Sequence, residues 1–251
     1  MQVKRMETIL RPVQKVPALV KEQRDKHPKV YFWVVFGLIV FLCFSVLHFF
    51  TIKRTETLTV QNEQLSLDIQ NLKMFQDQRV RILRLEQVLL SNENIKQKLG
   101  ADNIAPFAFK ILTLEDQYKD DGITASLLLG LIEVESAFTP KAVSETGAYG
   151  LMQILRSTST PYLRSMGREW SEVTMFDPII NVQVGVAVLV DLHRMYMTRG
   201  LEKKDEFTFS LSAYNMGEGT VQAAVNKKDK VYLNYVVKVK LAAKNWAALG
   251  V

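Results

Sequence analysis

The chain has 251 residues, 48% of them hydrophobic, with one cysteine and a formal net charge of +6. Residues 1–29 hold eight Lys/Arg against three Asp/Glu, so nearly all of the surplus belongs to an N-terminal tail and the rest of the chain is close to neutral. Nucleic-acid binding needs a basic face on the folded domain, so no nucleic-acid partner is expected.

In chain order, residues 1–29 contain Pro12, Pro17 and Pro28 with little periodicity and read as a disordered basic tail. Residues 30–50 carry no formal charge. At about 1.5 Å per residue they match a hydrocarbon core of about 30 Å, with Tyr31, Phe32, Trp33, Phe49 and Phe50 suited to its two interfaces. A cleaved signal would have a shorter apolar core and small residues at its end. Here His48-Phe49-Phe50-Thr51-Ile52-Lys53 follows, which predicts an uncleaved transmembrane anchor. Lys15, Lys21, Arg24, Lys26 and Lys29 precede the span, whereas only Lys53 and Arg54 follow it closely, so the N-terminus is expected in the cytoplasm. Cys43 lies inside the span and can close no internal disulfide, which leaves an oxidising compartment permitted.

Residues 51–100 read as one long helical segment. Thr55 to Leu99 contain neither proline nor glycine, and Leu58, Leu65 and Leu72, then Phe75, Ile82 and Leu89, recur at heptad spacing. Gln61, Asp68 and Arg79 interrupt the seam. A spacer of roughly 65 Å is expected, with a homodimer through residues 55–99 as a secondary reading. The competing reading folds this helix back onto the domain, where its apolar residues find a core without a partner chain. Gly100 and Ala101–Pro106 are expected to end the helix.

Residues 107–251 read as a mostly helical domain, with helices over Phe109–Lys119, Ile123–Glu135, Phe207–Tyr214 and Val231–Ala243. Asp177-Pro178 is a helix-start signal, with Asp as N-cap and Pro at the first position, opening a helix through about Met195. No run alternates well enough to predict a substantial sheet.

Three islands carry the chemistry. Glu135 closes the apolar run Ser126–Val134, and a carboxylate at the end of a buried helix resists ionisation. An acid that keeps its proton near neutrality can protonate a poor leaving group. Glu133 is the decoy, since two residues along a helix turn it through about 200° to the other side. The second island, Ser144 to Gln153, places Gly147 and Gly150 at tight turns and offers the Gln153 amide as both donor and acceptor. The third, Ala213-Tyr214-Asn215-Met216-Gly217, sets an aromatic and an amide at a helix end, with Glu218 the one further acid of interest. A Gly217-Glu218-Gly219 nucleotide site lacks both strand and phosphate-binding lysine. After the anchor the chain has one histidine, His193, and no cysteine, which excludes a typical zinc site and a Cys/His couple.

Glu135-Ser136-Ala137-Phe138-Thr139-Pro140, Gly147-Ala148-Tyr149-Gly150-Leu151-Met152-Gln153, Asp177-Pro178 with Asn181, Gly185 and Leu189, Ala213-Tyr214-Asn215 and the closing Tyr235-Val236 with Val239 follow one another in order. Together they resemble the soluble-lytic-transglycosylase catalytic domain of the lysozyme-like superfamily, over about residues 107–245. The resemblance implies a mainly α, lysozyme-like catalytic domain preceded by one transmembrane helix and a long helix with coiled-coil-like spacing. It implies cleavage of the β-1,4 bond between N-acetylmuramic acid and N-acetylglucosamine in peptidoglycan, without cofactor or metal. Glu135 would be the lone acid/base, Ser144 and Gln153 would hold substrate, and Tyr214, Asn215 and Tyr235 would line the cleft. The implied mechanism has the substrate's own 2-acetamido oxygen trap C1 and its C6 hydroxyl close a 1,6-anhydro ring. The expected location is the bacterial inner membrane, single-pass, with the domain on the periplasmic side. Arg156 departs from the usual proline, Met216 from a common alanine, and Val231-Tyr232 from the usual Glu-Thr. A hydrolytic muramidase and a non-catalytic wall-binding protein stay open as alternatives.

Overall fold

The computed structural model describes residues 21–22, 25–204, 206–227 and 233–251. Most of the basic tail therefore lies outside the described residues, as do Val231 and Tyr232. Two compact units are distinguished, Met1–Lys73 and Met74–Val251.

In the first unit, helix α1 (Pro28–Ser91) begins and carries the uncharged run of residues 30–50. By length and composition it is able to cross a membrane, and the large apolar side chains of Phe32, Trp33, Phe41 and Phe50 are exposed. Leu58, Leu65 and Leu72 are exposed as well.

The second unit begins within the same helix and has one main core. Near the end of α1, Leu85 and Leu89 are fully buried, and Ile82, Val88 and Leu90 pack beside them. α1 ends at Ser91, where Asn92 caps the short helix α2 (Glu93–Leu99) by accepting the Ile95 N–H at 3.2 Å. Ile95 and Leu99 enter the same core. Of the heptad-like series, Ile82 and Leu89 face this core, as in the reading that folds the end of the helix back onto the domain. The physical reason is that a stripe at this spacing buries equally well against its own chain as against a partner.

Helix α3 (Ala101–Gln117) starts earlier than expected and continues through Pro106. Pro106 is the sixth residue of this helix, so its missing N–H costs the one bond it would have given to the Asp102 carbonyl. After a short 3-10 turn, α4 (Ala125–Ser136) is capped by Thr124, whose hydroxyl accepts the Leu127 N–H at 3.1 Å. A hairpin of two-residue strands, β1 (Ala148–Tyr149) and β2 (Ile154–Leu155), pairs antiparallel with Ala148 opposite Leu155. Then come α5 (Arg156–Ser165), α6 (Glu172–Phe176), α7 (Pro178–Thr198), α8 (Thr208–Met216), α9 (Glu218–Lys227) and α10 (Leu233–Ala248). Asp177 caps α7 as expected, its Oδ1 accepting the N–H groups of Ile179 and Ile180 at 2.8 and 3.0 Å.

α10 packs along α4, and Gly130 makes the approach possible: a Cβ there would lie 2.5 Å from the backbone nitrogen of Ala243. Beneath α8, Glu202 is buried and accepts the Phe209 N–H at 2.7 Å, close to the free N-terminus of that helix. His193 lies fully buried, with Nδ1 3.0 Å from Glu202 and 3.1 Å from the Ser210 hydroxyl, and its ring stacks on Phe207. His193 is thus a core residue that ties α7 to α8.

Candidate active site

The apolar run of α4 ends where the backbone turns left-handed at two successive non-glycine residues, Ala137 (φ 47°) and Phe138 (φ 60°). Such backbone costs of the order of 1–3 kcal/mol per residue and persists only where the surroundings enforce it. Here Phe138 is buried between Phe107 and Trp246, at ring-centroid separations of 6.5 and 5.6 Å. Lys98, from α2, donates to the Ala137 carbonyl at 2.8 Å. The chain leaving Glu135 is therefore fixed from two sides.

Glu135 is largely desolvated, which raises its carboxyl above the ordinary range. The Tyr235 hydroxyl, delivered by α10, donates a hydrogen bond to Glu135 Oε1 and opposes part of that rise. Burial, and then the Glu135 charge, push the Tyr235 phenol far up, so it remains a donor. Glu133 is exposed and accepts the Trp246 indole N–H at 2.7 Å, on a different side of the helix from the Glu135–Tyr235 pair.

The segment 144–153 forms a turn beside this pair. The Ser144 hydroxyl accepts the Ala148 N–H at 2.9 Å and lies 2.9 Å from the Thr146 hydroxyl. Gln153 adopts φ 47°, and its Nε2 donates to the carbonyls of Gly150 (2.9 Å) and Ala142 (3.2 Å). Both side chains thus bind their own loop, and neither is bonded to Glu135. Gly150 must be glycine on two counts: its φ is +80°, and a Cβ would sit 2.1 Å from Asn181 Nδ2. Asn181 holds the turn from outside, accepting the Met152 N–H at 2.8 Å and donating to the carbonyls of Tyr149 and Met175 at 2.9 Å each.

Tyr214, near the end of α8, donates to the Met152 carbonyl at 2.8 Å. Burial, reinforced by the Glu135 charge, drives its phenol well above the usual range. Asn215 is exposed and lines a cleft of about 570 Å³ together with Tyr214, Met216, Thr146, Leu155 and Thr158. Glu218 lies on the same cleft, paired with Arg199 at 2.9 Å. The structure thus joins Tyr235 to Glu135, bonds Tyr214 to the glycine turn within electrostatic reach of Glu135, and places Asn215 beside Tyr214 on the cleft. Arg156 stands with its guanidinium 4.3 Å from the centre of the Trp170 ring.

Two cleft residues, Tyr162 and Asp191, belong to no sequence motif; the Tyr162 hydroxyl donates to Asp191 Oδ2 at 2.8 Å. The available signal is Asp191's place on a helical face otherwise made of Val188, Leu192 and Met195. Among the described residues no group of three or more His, Cys, Asp or Glu side chains is placed to hold a metal.

Residues 114–235 match the family model described as "Transglycosylase SLT domain". Membrane-bound lytic murein transglycosylase C of Histophilus somni is 33% identical over 130 residues, covering 47% of this chain and 36% of that protein. The protein of the same name from Salmonella arizonae is 36% identical over 114 residues, covering 44% of this chain and 31% of its own length. The chain thus spans about a third of the length of these curated relatives. The solved 70 kDa soluble lytic transglycosylase of Escherichia coli aligns with a TM-score of 0.44 at 21% identity, over 65% of this chain and 30% of that one. The matched region runs from α3 to Tyr235 and contains Glu135, the Gly150–Gln153 turn and Tyr214-Asn215, so it is over these residues that the chain is similar to the transglycosylase SLT domain family.

Proposed function

We propose that this protein is a membrane-anchored peptidoglycan lytic transglycosylase that cleaves the bond between N-acetylmuramic acid and N-acetylglucosamine, with Glu135 as its sole acid/base. The observation that carries the reading is the state of Glu135. It is a desolvated carboxyl with a raised pKa and one hydrogen-bond donor, and among the described residues no second carboxylate contributes to its shift. A two-carboxylate glycosidase would need a nucleophile or base nearby, whereas a substrate-assisted reaction needs only one acid.

In this reading protonated Glu135 gives its proton to the glycosidic oxygen while the 2-acetamido oxygen attacks C1 and the sugar–oxygen bond breaks. The carboxylate so formed, stabilised by the Tyr235 hydroxyl, takes the proton of the C6 hydroxyl as that oxygen attacks C1, breaks its bond to the acetamido oxygen and closes the 1,6-anhydro ring. Tyr214 and Asn215 border the cleft that would receive the strand, while Ser144 and Gln153 serve by shaping the turn.

The uncharged run of residues 30–50, with the denser lysines before it, supports an inner-membrane anchor with the N-terminus inside and the domain on the periplasmic face. A homodimer would have to use exposed residues such as Leu58, Leu65, Leu72 and Phe75, since Leu85 and Leu89 are buried in the domain. Mass analysis of products from purified peptidoglycan tests the activity. A 1,6-anhydro end, one water lighter than the hydrolytic product, is expected; a reducing end would identify a muramidase, and absence of cleavage would overturn both.

A further inference from the structure

Asp191 is a solvent-exposed cleft residue with no cation in ion-pair contact with its carboxylate among the described residues. Its Oδ2 accepts the Tyr162 hydroxyl at 2.8 Å, and both residues line the cleft that also holds Tyr214 and Asn215. Burial, and then the bond and charge of Asp191, push the Tyr162 phenol up, which keeps it protonated as a donor that orients the carboxylate.

Two arginines, one on α7 and one just past its end, are engaged elsewhere. Arg194, one helical turn along α7, feels the Asp191 charge, yet its Nε and Nη2 each bond Asp121 at 2.7 Å. Arg199 is taken by Glu218 and Gln222. Among the described residues lining the cleft there is no Lys, Arg or His. An ionised carboxylate loses solvation when a polymer lies over it, and the loss is offset best by a cation. A sugar hydroxyl would supply one hydrogen bond and leave the charge standing.

We propose that the Asp191–Tyr162 pair is a specificity determinant that selects a primary ammonium group on the glycan strand. This rests on the transglycosylase reading of the cleft. In murein such a group has two sources: the free amine of a stem-peptide diamino acid not consumed in a cross-link, or the amine of a glucosamine that has lost its acetyl group. In the first case the pair favours un-cross-linked regions of the wall, because amide formation abolishes the charge.

The test uses the full chain in detergent and compares kcat/KM within matched substrate pairs. One arm offers murein with native stem amines against the same murein after N-acetylation. The other offers peptide-free strands with de-N-acetylated glucosamine against fully acetylated strands. Wild type is expected to favour the amine-bearing member of one pair about fivefold, through KM, as suits an ion pair that is partly solvent-exposed. The favoured arm names the source. Asp191→Asn, similar in shape but uncharged, should bring that ratio to about one, and Asp191→Glu should restore most of it. Because each ratio is taken within one variant, partial misfolding cancels. Equal turnover by wild type in both arms, or an Asp191→Asn ratio equal to wild type's, overturns the proposal. Absence of product from every substrate overturns the transglycosylase reading itself, and the proposal falls with it.

Discussion

Replacing Leu89 by alanine removes a side chain that is 0% exposed, from the end of a helix whose earlier residue Leu72 is 63% exposed. If the end of α1 is an integral part of the domain core, the loss combines the transfer of the missing carbons with the cavity left behind. For a fully buried leucine that is about 3 kcal/mol, within a range of 2–5. For a domain of this size each kcal/mol lowers the melting temperature by about 2–4 °C, so Leu89→Ala should lower it by about 6–12 °C. Leu72→Ala, by contrast, should stay within about 0.5 kcal/mol of wild type, as exposed substitutions usually do. The assay is thermal unfolding of the full chain in detergent, followed by tryptophan fluorescence. Trp246 is well placed to report, since it packs on Phe138 within the same core. A Leu89→Ala protein that melts with the Leu72→Ala protein would refute the assignment and return this segment to the role of a spacer.

Glu135→Gln should remove at least about a thousandfold of turnover on purified peptidoglycan while leaving the fold intact, whereas Glu133→Gln, which can still accept the Trp246 N–H, should keep most of its activity. The raised pKa of Glu135 also has a stability signature. The folded state holds this proton more tightly than the unfolded chain, so stability is lost as pH rises from the ordinary carboxylate range through the folded value. Glu135→Gln should therefore lose less stability than wild type across that window in urea titrations; an identical pH slope would contradict the shift. Tyr235→Phe deletes the bond that favours ionised Glu135, so the alkaline limb of the kcat–pH profile should move to higher pH, and a move to lower pH would disprove the role. Asn181→Ala breaks three hydrogen bonds and should cost about 3 kcal/mol in urea unfolding, with reduced turnover because Met152 also positions Tyr214.

Features whose causes are local were legible in the sequence. The Asp177-Pro178 start of α7 and the apolar run ending at Glu135 both appear where short-range rules put them. Longer-range partners were not. Asn181 could be recognised as part of a motif, but its bonds to Met152 and Tyr149 join residues 29 and 32 positions apart. Tyr162 and Asp191 are likewise 29 apart. Ser144 and Gln153 stood out by residue type, yet composition could not tell that their polar atoms would bind their own loop. Leu85 and Leu89 were ambiguous for another reason: apolar spacing along a helix specifies a sticky face without naming what covers it.

The bond from Lys98 to the Ala137 carbonyl bears on how this domain can be borrowed. The recognisable family region begins at residue 114 and closes at residue 235. Outside it lie Leu85, Leu89, Ile95, Leu99 and Phe107 on one side, and Val239 and Trp246 on the other, all in the one core. The side chains that clasp the backbone just past Glu135 therefore sit in flanking sequence that carries no family signature. A chimera cut at the recognised borders would transplant the acid, the glycine turn and both tyrosines, but would leave Phe138 without Phe107 and Trp246 around it and Ala137 without Lys98. In this protein the smallest transferable module is larger than the motif-bearing one, and its natural joint lies within α1, near Met74.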